Sequence, residues 1–376
     1  MELSAEQRAI RDAAREVAAT HIRPIAADAD RTGTFPEDNW DVLAERGYTG
    51  IAVPAEFGGM ECEPMAYALI NEAIAHGSLG VATALSVHAL ATQCIATHAD
   101  ATVCDEWLPA MRDGRPVGAF ALSEPAAGSN PAEMSTVARP ADDGYRLSGA
   151  KQWITNGARA GVYVVFAKVA GAGERSITQF LVPADTRGVS PGAPESKLGL
   201  RASDTVAIEF DDAWIPQRYR LTRVGDGLSA AYDALTIGRV GIAAQAVGLA
   251  AAALDEAIEY VASRHQFGGP LSDIQTVRHR IATMTTQVEA ARQLVYAAAR
   301  RQSERRQWAS MAKVFASETA MRVTNDALQL HGGHGYVSPS DVERFYRDAK
   351  VTEIYEGTTQ IQHSIIADCV LGPVSE

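Results

Sequence analysis

The chain has 376 residues, of which 47% are hydrophobic and 21% are charged, a balance that excludes a disordered or low-complexity protein. At about 150 residues per domain, this length predicts two or three domains. Aspartate and glutamate outnumber lysine and arginine by 46 to 34, and the basic residues form no stripe, so neither nucleic acid nor an anionic membrane is an expected partner.

The cysteines and the N-terminal residues bear on where the protein works. Cys62, Cys94, Cys104 and Cys369 follow no paired spacing, so we expect reduced thiols and no disulfide. With His88 and His98, two of them match no zinc pattern, and no metal is predicted. The start of the chain lacks the features of a targeting signal, and no apolar run approaches the ~18 residues of a membrane span. We therefore expect a soluble protein of the cytoplasm.

Residues 1–115 are predicted to form an N-terminal α-helical domain. Ser4 and Gln7 fit a capping box, and apolar residues then follow at helical spacing. Glycines that tolerate a positive φ stand where further helical patterns stop, at Gly47, Gly77 and Gly114.

Residues 116–225 are predicted to form a middle domain of antiparallel β-strands. Short runs rich in β-branched and aromatic residues are bounded by Gly, Pro, Asp and Asn. These runs cover residues 117–123, 161–169, 176–183 and 203–210.

Residues 226–376 are predicted to form a C-terminal helical bundle, because long Ala-rich helical patterns cover 228–263, 274–302 and 307–330. The first pattern contains Gly238, Gly241 and Gly248, each of which costs about 1 kcal/mol against alanine in a helix. We therefore expect close helix packing or close ligand approach at these positions.

One dinucleotide-binding fingerprint, G-x-G-x-x-A, spans Gly225 to Ala230 after a possible strand at 219–224. A Rossmann unit also needs a second strand and an acidic residue about 20 residues further on. Here an Ala-rich helical pattern fills that region, so we interpret the fingerprint as a turn that enters a helix.

Four segments combine glycine with polar or aromatic residues: ALSEPAAGSN at 121–130, KQWITNG at 151–157, QLHGGHGY at 329–336 and IYEGTTQ at 354–360. The first is typical either of a plain loop or of a backbone N–H cradle for phosphate or amide groups. Trp153 suits either core packing or a wall against a planar cofactor. Arg264 suits either a solvated helix end or a phosphate clamp.

Glu356 has two possible roles, a surface acid at a helix N-terminus or a general base. Its apolar neighbours Ile354 and Tyr355 would raise its pKa by burial, whereas the helix that follows would lower it. Gly357 would leave room for a substrate beside the carboxylate.

Together and in this order, these segments resemble the acyl-CoA dehydrogenase family. The resemblance extends to residue 366 and also rests on GYTGIAVP at 47, EFGG at 56, KLGLRASDT at 197, GRVGIAAQAVGLA at 238, RHQFGGPL at 264 and RDAKVTEIYEGTTQIQ at 347. It implies an α+β multidomain fold: an N-terminal α-helical domain, a middle antiparallel β-barrel and a C-terminal four-helix bundle. It also implies bound FAD and a homotetramer.

The resemblance implies three groups of FAD-binding residues. One group lines the FAD site: Phe120, Leu122, Ser123, Gly128, Ser129, Trp153, Ile154, Thr155, Thr358 and Gln360. Within it, Trp153 and Thr155 lie against the flavin ring. The other two meet the adenosine diphosphate part of FAD bound to a neighbouring subunit: Arg264, Gln266, Phe267, Leu271, Ile274 and Gln275, and then Gln329, Gly332 and Gly333.

For the reaction, the resemblance implies that Glu356 removes the α-proton of an acyl thioester while the β-hydrogen leaves as hydride to flavin N5. The products are a trans-2-enoyl-CoA and reduced FAD, and an electron-transferring flavoprotein takes the electrons. The Glu356 N–H and a ribityl hydroxyl of FAD stabilise the thioester oxygen. Ser129, Thr236, Arg239 and Gly357 meet the acyl-CoA.

Gly238, just before Arg239, stands where isovaleryl- and long-chain-type members carry their base, so the base comes from Glu356, as in short- and medium-chain or short-branched types. A glutamate, rather than the aspartate of nitroalkane oxidases, also favours acyl-CoA. Ala126, Asn130 and Thr236 depart from the usual Gly, Asp and Asp. Two alternatives stay open: an acyl-CoA oxidase that uses oxygen, and a non-catalytic acyl-CoA-binding protein of the same fold.

Overall fold

The computed structural model describes residues 2–372; residue 1 and residues 373–376, at the ends of the predicted outer domains, lie outside the described residues. Its first part is helical, as predicted. The six helices are α1 (Ala5–Val17), α2 (Arg23–Thr32), α3 (Glu37–Glu45), α4 (Pro64–Gly77), α5 (Leu79–His98) and α6 (Ala101–Arg112).

The capping box at the start of α1 is confirmed. The Ser4 hydroxyl accepts a hydrogen bond from the Gln7 N–H, and the Gln7 side chain accepts one from the Ser4 N–H. Gly47 and Gly114 lie just beyond α3 and α6 with φ of +76° and +90°, as expected for glycines at helix ends. Local sequence therefore sets these helix boundaries.

The middle of the chain forms one seven-stranded sheet. Its strands are β1 (Gly118–Ala121), β2 (Val137–Ala141), β3 (Gly144–Thr155), β4 (Val162–Val169), β5 (Ile177–Pro183), β6 (Val189–Pro191) and β7 (Thr205–Pro216). The order is β1-β4-β2-β3-β7-β6. Strand β5 lies outside this order and pairs with β4.

Three features of the middle region differ from the prediction. The sheet is mixed and not wholly antiparallel, because β1 and β2 both run parallel to β4. The strand patterns also missed β2, β3 and β6, because glycine, proline and charged residues interrupt their alternation. The possible strand at 219–224 is absent from the described chain, where only Arg220 forms an isolated bridge with Phe180.

The C-terminal part is the predicted bundle. Its helices are α7 (Gly227–Ser263), α8 (Gln275–Arg300), α9 (Arg305–His331), α10 (Gly333–Tyr336), α11 (Asp341–Ala349) and α12 (Thr359–Leu371), and a short hairpin of β8 (His265–Gln266) and β9 (Gly269–Pro270) joins α7 to α8. The long helices α7, α8 and α9 pack on one another, and α11 and α12 pack on α9. The start of α7 follows directly from the turn at Gly225, as interpreted from the fingerprint.

The glycines inside α7 allow close packing, as expected. A Cβ on Gly241 would come within 2.7 Å of the Tyr67 ring of α4, and one on Gly248 would overlap the Glu72 carbonyl. At Gly248 the backbone of α4 therefore packs directly on α7, whereas at Gly241 the Tyr67 ring fills the space that the missing side chain leaves. Both helices belong to the same core, which joins the N-terminal domain to the bundle.

The expectation that no apolar run reaches membrane-spanning length was wrong. Helices α5 and α7 are both long and apolar enough to cross a membrane, but 83% and 89% of their most apolar windows are buried inside the protein. Helix α5 packs between β1 and α7, and α7 is the central helix of the bundle. Their apolar character is that of core helices.

Candidate active site

A cavity of about 620 Å³ lies where α5, α7, the middle sheet and the segment that precedes α12 meet. Helix α7 contributes Tyr232, Leu235, Arg239 and Ile242, which follow one another at helical spacing on one face. The turn that contains Glu356 closes another side. This cavity brings four parts of the chain together, and the candidate site is built around it.

The backbone of Glu356 is held in an unusual conformation. Glu356 has a φ of +50° and Gly357 a φ of +97°, so the chain makes a tight left-handed turn just before α12. A Cβ on Gly357 would collide with the Gln362 side chain. The close approach of Gln362 therefore explains this glycine, in addition to the expected room for a substrate.

Three side chains fasten this turn through its carbonyl groups. Gln362 donates from Nε2 to the carbonyls of Glu356 (3.2 Å) and Gly357 (3.0 Å). Lys313 of α9 donates from Nζ to the Gly357 carbonyl at 2.9 Å, and Arg239 donates from Nε to the Glu356 carbonyl at 3.4 Å. The turn is thus tied to α12, α9 and α7 together.

The carboxylate of Glu356 is left without a partner. Its Oε2 atom is buried and has no hydrogen-bond partner among the described residues. Burial raises the pKa of Glu356 to about 7, although the nearby cations Arg239 and Lys313 oppose the rise. The sequence predicted that burial would raise the pKa of Glu356 and that the following helix would lower it. Burial prevails, and the groups that oppose it are the cations of Arg239 and Lys313.

A bulge in β3 places Trp153 on the wall of the cavity. Between the pairs Lys151/Ile208 and Ile154/Val206, β3 has two residues opposite one in β7. Trp153 lies in this bulge with a φ of +58°, and 56% of its surface is exposed. The sequence left two interpretations of Trp153 open, and the structure excludes core packing.

The loop beside Trp153 fits an anionic and partly aromatic cofactor. A Cβ on Gly128 would be 4.0 Å from the Trp153 ring, so the loop and the ring are neighbours. Within residues 2–372, the backbone N–H groups of Gly128 and Ser129 donate to no other group of the protein. Free N–H groups next to an exposed indole are suited to phosphate and to a planar ring. The residues present therefore fit FAD.

Most of the residues predicted around the flavin, and part of the substrate set, meet in this cavity. Its lining includes Phe120, Leu122, Ser123, Gly128, Ser129, Trp153, Ile154, Thr155, Arg239, Glu356, Gly357 and Thr358. They come from four separate stretches of the chain: residues 120–129, residues 153–155, Arg239 of α7, and residues 356–358. Their individual roles stay predictions.

Two of the residues predicted beside the flavin or the acyl-CoA do not line the cavity. Thr236 uses its hydroxyl to donate to the Tyr232 carbonyl in its own helix, at 2.8 Å. Gln360 is exposed in the first turn of α12, and its neighbour Ile361 lines the cavity instead. The side-chain hydroxyl of Thr236 and the amide of Gln360 therefore face other surroundings in this structure.

The two groups predicted to contact the cofactor of a neighbouring subunit lie at the far end of the bundle. Arg264 follows Gly238 by 26 residues, or ~39 Å along α7. Tyr260, near the end of α7, stacks on His331 at the end of α9 with ring centroids 4.1 Å apart. These contacts bring together the two predicted groups, Arg264, Gln266, Phe267, Leu271, Ile274 and Gln275, and Gln329, Gly332 and Gly333.

This end of the bundle is open to solvent. Phe267 is 93% exposed, and Arg264, Gln266, Gln275 and Gln329 are also exposed. The set is too far along α7 to share the cavity around Glu356 of its own chain. Its predicted contact with the cofactor of a neighbouring subunit stays a prediction.

Sequence reasoning missed several residues that line the cavity. Thr83, Val87 and Leu90 of α5 follow one another at spacings of four and three. The loop from Lys197 to Leu200 and the side chains of Arg347 and Lys350 also contribute. The helical spacing marks a face of α5, but the sequence does not show whether that face meets the core or a cavity.

Comparison with known families gives one consistent result over the whole chain. The N-terminal domain of acyl-CoA dehydrogenases matches residues 4–115, the middle domain matches residues 119–213 and the C-terminal domain matches residues 225–371. These matches cover the helical part, the sheet and the bundle in turn.

Individual relatives match along nearly their whole length. The chain is 40% identical to an acyl-CoA dehydrogenase of Bacillus subtilis over 99% of this chain and all of that protein. It is 38% identical to the mitochondrial short-chain specific acyl-CoA dehydrogenase of Rattus norvegicus, over 99% of this chain and 91% of that one.

Two solved structures share the fold. Butyryl-CoA dehydrogenase from Megasphaera elsdenii superimposes with a TM-score of 0.95 at 35% identity, over 99% of both chains. A chain from a structural study of the electron-transferring flavoprotein of Acidaminococcus fermentans gives 0.96 at 36% identity, also over 99% of both.

Proposed function

The chain belongs to the acyl-CoA dehydrogenase family, and from this membership we propose that Glu356 is the base that starts the oxidation of a short- or medium-chain acyl-CoA to its trans-2-enoyl-CoA. Members of this family are FAD-dependent, so the protein is a flavin-dependent oxidoreductase that acts on acyl-CoA. The three-domain fold predicted from the resemblance is the fold of the family.

The observation that carries this proposal is the unpartnered carboxylate. Glu356 Oε2 is buried at the cavity without a hydrogen-bond donor among residues 2–372. A general base works best when its pKa is close to the working pH, and burial raises the pKa of Glu356 to about 7. The side chain can therefore take up the α-proton of a thioester that enters the cavity.

The backbone beside the base is available for the thioester oxygen. In the described chain the Glu356 N–H donates to no protein acceptor. An α C–H becomes acidic enough only when charge on the carbonyl oxygen is stabilised. We assign this N–H to the thioester oxygen, and Arg239 helps to hold the turn that contains it by donating to the Glu356 carbonyl.

The cofactor residues have a separate task. Bound FAD would accept the β-hydrogen as hydride, which is chemistry that no side chain of the cavity supplies. The N–H groups of Gly128 and Ser129 would hold its phosphates, and Trp153 and Thr155 would lie against its ring. The exposed set around Arg264 and Phe267 would contact the cofactor of a neighbouring subunit in a homotetramer.

The names of relatives support a proposal for the substrate length and for the electron acceptor. One relative is named as short-chain specific and a solved neighbour as butyryl-CoA dehydrogenase, which supports a short acyl chain. The neighbour from the electron-transferring flavoprotein study supports such a flavoprotein as the acceptor. We also propose a cytoplasmic location, because the four cysteines are scattered without paired spacing and so suit a reducing compartment.

The test is the visible spectrum of the purified protein under anaerobic conditions, with straight, branched and aromatic acyl-CoAs added in turn. We expect bound flavin to bleach with short straight chains, and E356Q to bind them without bleaching. A yellow protein that no acyl-CoA bleaches would contradict the proposal. Oxygen consumption with substrate would identify an oxidase, and a colourless protein would favour the non-catalytic alternative.

A further inference from the structure

Lys313 is a buried cation whose role the reaction outlined above does not explain. It lies in the middle of α9 with none of its surface exposed. Its Nζ donates to the Gly357 carbonyl at 2.9 Å. Among the described residues it forms no ion pair, whereas the other fully buried lysine, Lys151, is paired with Glu124 at 2.8 Å.

A buried ammonium without a carboxylate in contact is unfavourable, so its presence needs a compensating interaction. The acidic groups that act on Lys313 are Glu356 and, more weakly, Glu353. Burial lowers the pKa of Lys313 to about 8, so the ammonium is still the main form at pH 7. Its charge and its hydrogen bond therefore both act on the turn that carries Glu356.

We propose that Lys313 is a positioning residue for Glu356: its ammonium holds the 356–357 turn on the side away from the cavity and favours the ionised carboxylate. This inference rests on the proposed function, in which Glu356 is the base. Arg239 lines the cavity and Lys313 does not, so the two cations act on Glu356 from different sides. Arg239 faces the space that the substrate would fill, whereas Lys313 acts from within the protein.

Other groups around Glu356 do not replace this charge. From α4 comes Tyr67 and from the turn itself Tyr355; burial raises the pKa of both phenols well above neutrality, so both are uncharged. Arg306 of α9 acts on Arg239, and Glu353 acts on Lys313. Lys313 and Arg239 are thus the two cations that act on the Glu356 carboxylate.

The local hydrogen bonds allow charge and geometry to be separated. The Gly357 carbonyl also accepts from Gln362 Nε2 at 3.0 Å, so it keeps a donor when Lys313 is replaced. Lys313→Met removes the charge and one hydrogen bond, and Lys313→Arg keeps the charge. Arg322→Met is the matched control, because it removes a cation from the exposed side of the same helix.

The primary experiment titrates Glu356 without turnover. Acid–base titration curves of the holoprotein and of E356Q are subtracted to give the titration of Glu356, and the same difference is taken in the K313M, K313R and R322M backgrounds. We expect K313M to shift this titration upward by about one pH unit, because an opposite charge is removed. K313R and R322M should leave it within about 0.3 of a unit. An unshifted titration in K313M would overturn the proposal.

Turnover gives an independent readout. In K313M the acid limb of the kcat profile should move to higher pH by the same amount. At pH 6 the kcat of K313M should be about tenfold below that of the unmodified protein, and at pH 8 the difference should be small. A purely structural role would instead lower the melting temperature and leave the limb in place. If K313M does not fold, K313Q is used in its place. If no acyl-CoA is oxidised but the titration still shifts, the proposed function fails and the role of Lys313 stands.

Discussion

Gly238 of α7 lies directly against the carboxylate of Glu356, so that a Cβ at position 238 would come closer than 3.0 Å to Oε2. The two residues are 118 positions apart, and nothing except the missing side chain leaves space for the carboxylate. The position just before Arg239, which the resemblance marks as an alternative site for the base, therefore faces the same point as Glu356. Only one of the two positions can carry the carboxylate.

Gly238→Ala tests this contact. The methyl group should displace the carboxylate and lower kcat/KM by about 100-fold, since displacement of a reacting group by about 1 Å has effects of this size. Stability should change by less than about 1 kcal/mol, because alanine favours the helix while the contact opposes it. Gly80→Ala in α5 is the control, since its nearest neighbour would be at 3.7 Å. A fully active G238A would show that the contact does not constrain the base.

The rate should depend on pH through Glu356. Because burial raises its pKa to about 7, half of the base is protonated near neutrality. We expect kcat/KM to fall about tenfold for each pH unit below 7 and to level off above it. A steady-state profile between pH 5 and 9 measures this. A limb centred near pH 4.5 would show that the carboxylate is hydrated as in an exposed glutamate.

Removal of the same carboxylate should stabilise the protein at high pH. The pKa of Glu356 is about 7 when folded and close to 4.5 when unfolded, so the ionised form disfavours folding above pH 7 by about 3 kcal/mol. This penalty decreases as the pH falls from 7 and is gone below 4.5. Glu356→Gln should therefore melt at a higher temperature than the unmodified protein at pH 8 and at the same temperature at pH 4.5. Equal melting temperatures at pH 8 would contradict the raised pKa.

The buried pair of Lys151 and Glu124 should be important for stability. Its atoms are 2.8 Å apart and almost fully buried, and Glu124 also accepts hydrogen bonds from Ser135 and Thr136. Lys151→Met leaves a buried carboxylate without its cation and should cost about 3–5 kcal/mol. It should also loosen the 121–130 loop and lower the flavin content. Arg31→Met removes an exposed pair with Asp28 and should cost less than about 1 kcal/mol. Urea unfolding curves of the two variants make the comparison, and equal losses would contradict it.

The exposed end of the bundle should matter for the assembly. Arg264→Ala and Phe267→Ala should each lower the FAD content and weaken the oligomer, because these exposed side chains make few contacts within their own subunit. Flavin absorbance per protein and light scattering measure the two effects. Trp214→Ala, at an exposed position on β7, should change neither. Full flavin occupancy in an unchanged oligomer would refute the assignment of both residues.

Much of the architecture is already present in local sequence. The capping box at Ser4, the glycines after α3 and α6, and the bounds of α7 within one residue all depend on groups close to one another in the chain. Caps and helical spacing act over a few residues, so they can be read without knowledge of the fold. The order of the sequence motifs also indicated the family, and the resemblance to that family predicted Glu356 as the base.

Other features were decided by contacts between distant residues. The parallel pairing of β1 and β2 with β4 depends on which strands meet, and the missed strand β3 forms because β7 pairs along its length. The direction of the pKa shift of Glu356 needed the positions of Arg239 and Lys313 as well as its burial. Sequence alone specified the residue types and the local elements, whereas the tertiary structure set burial and electric field, because these depend on every group nearby in space.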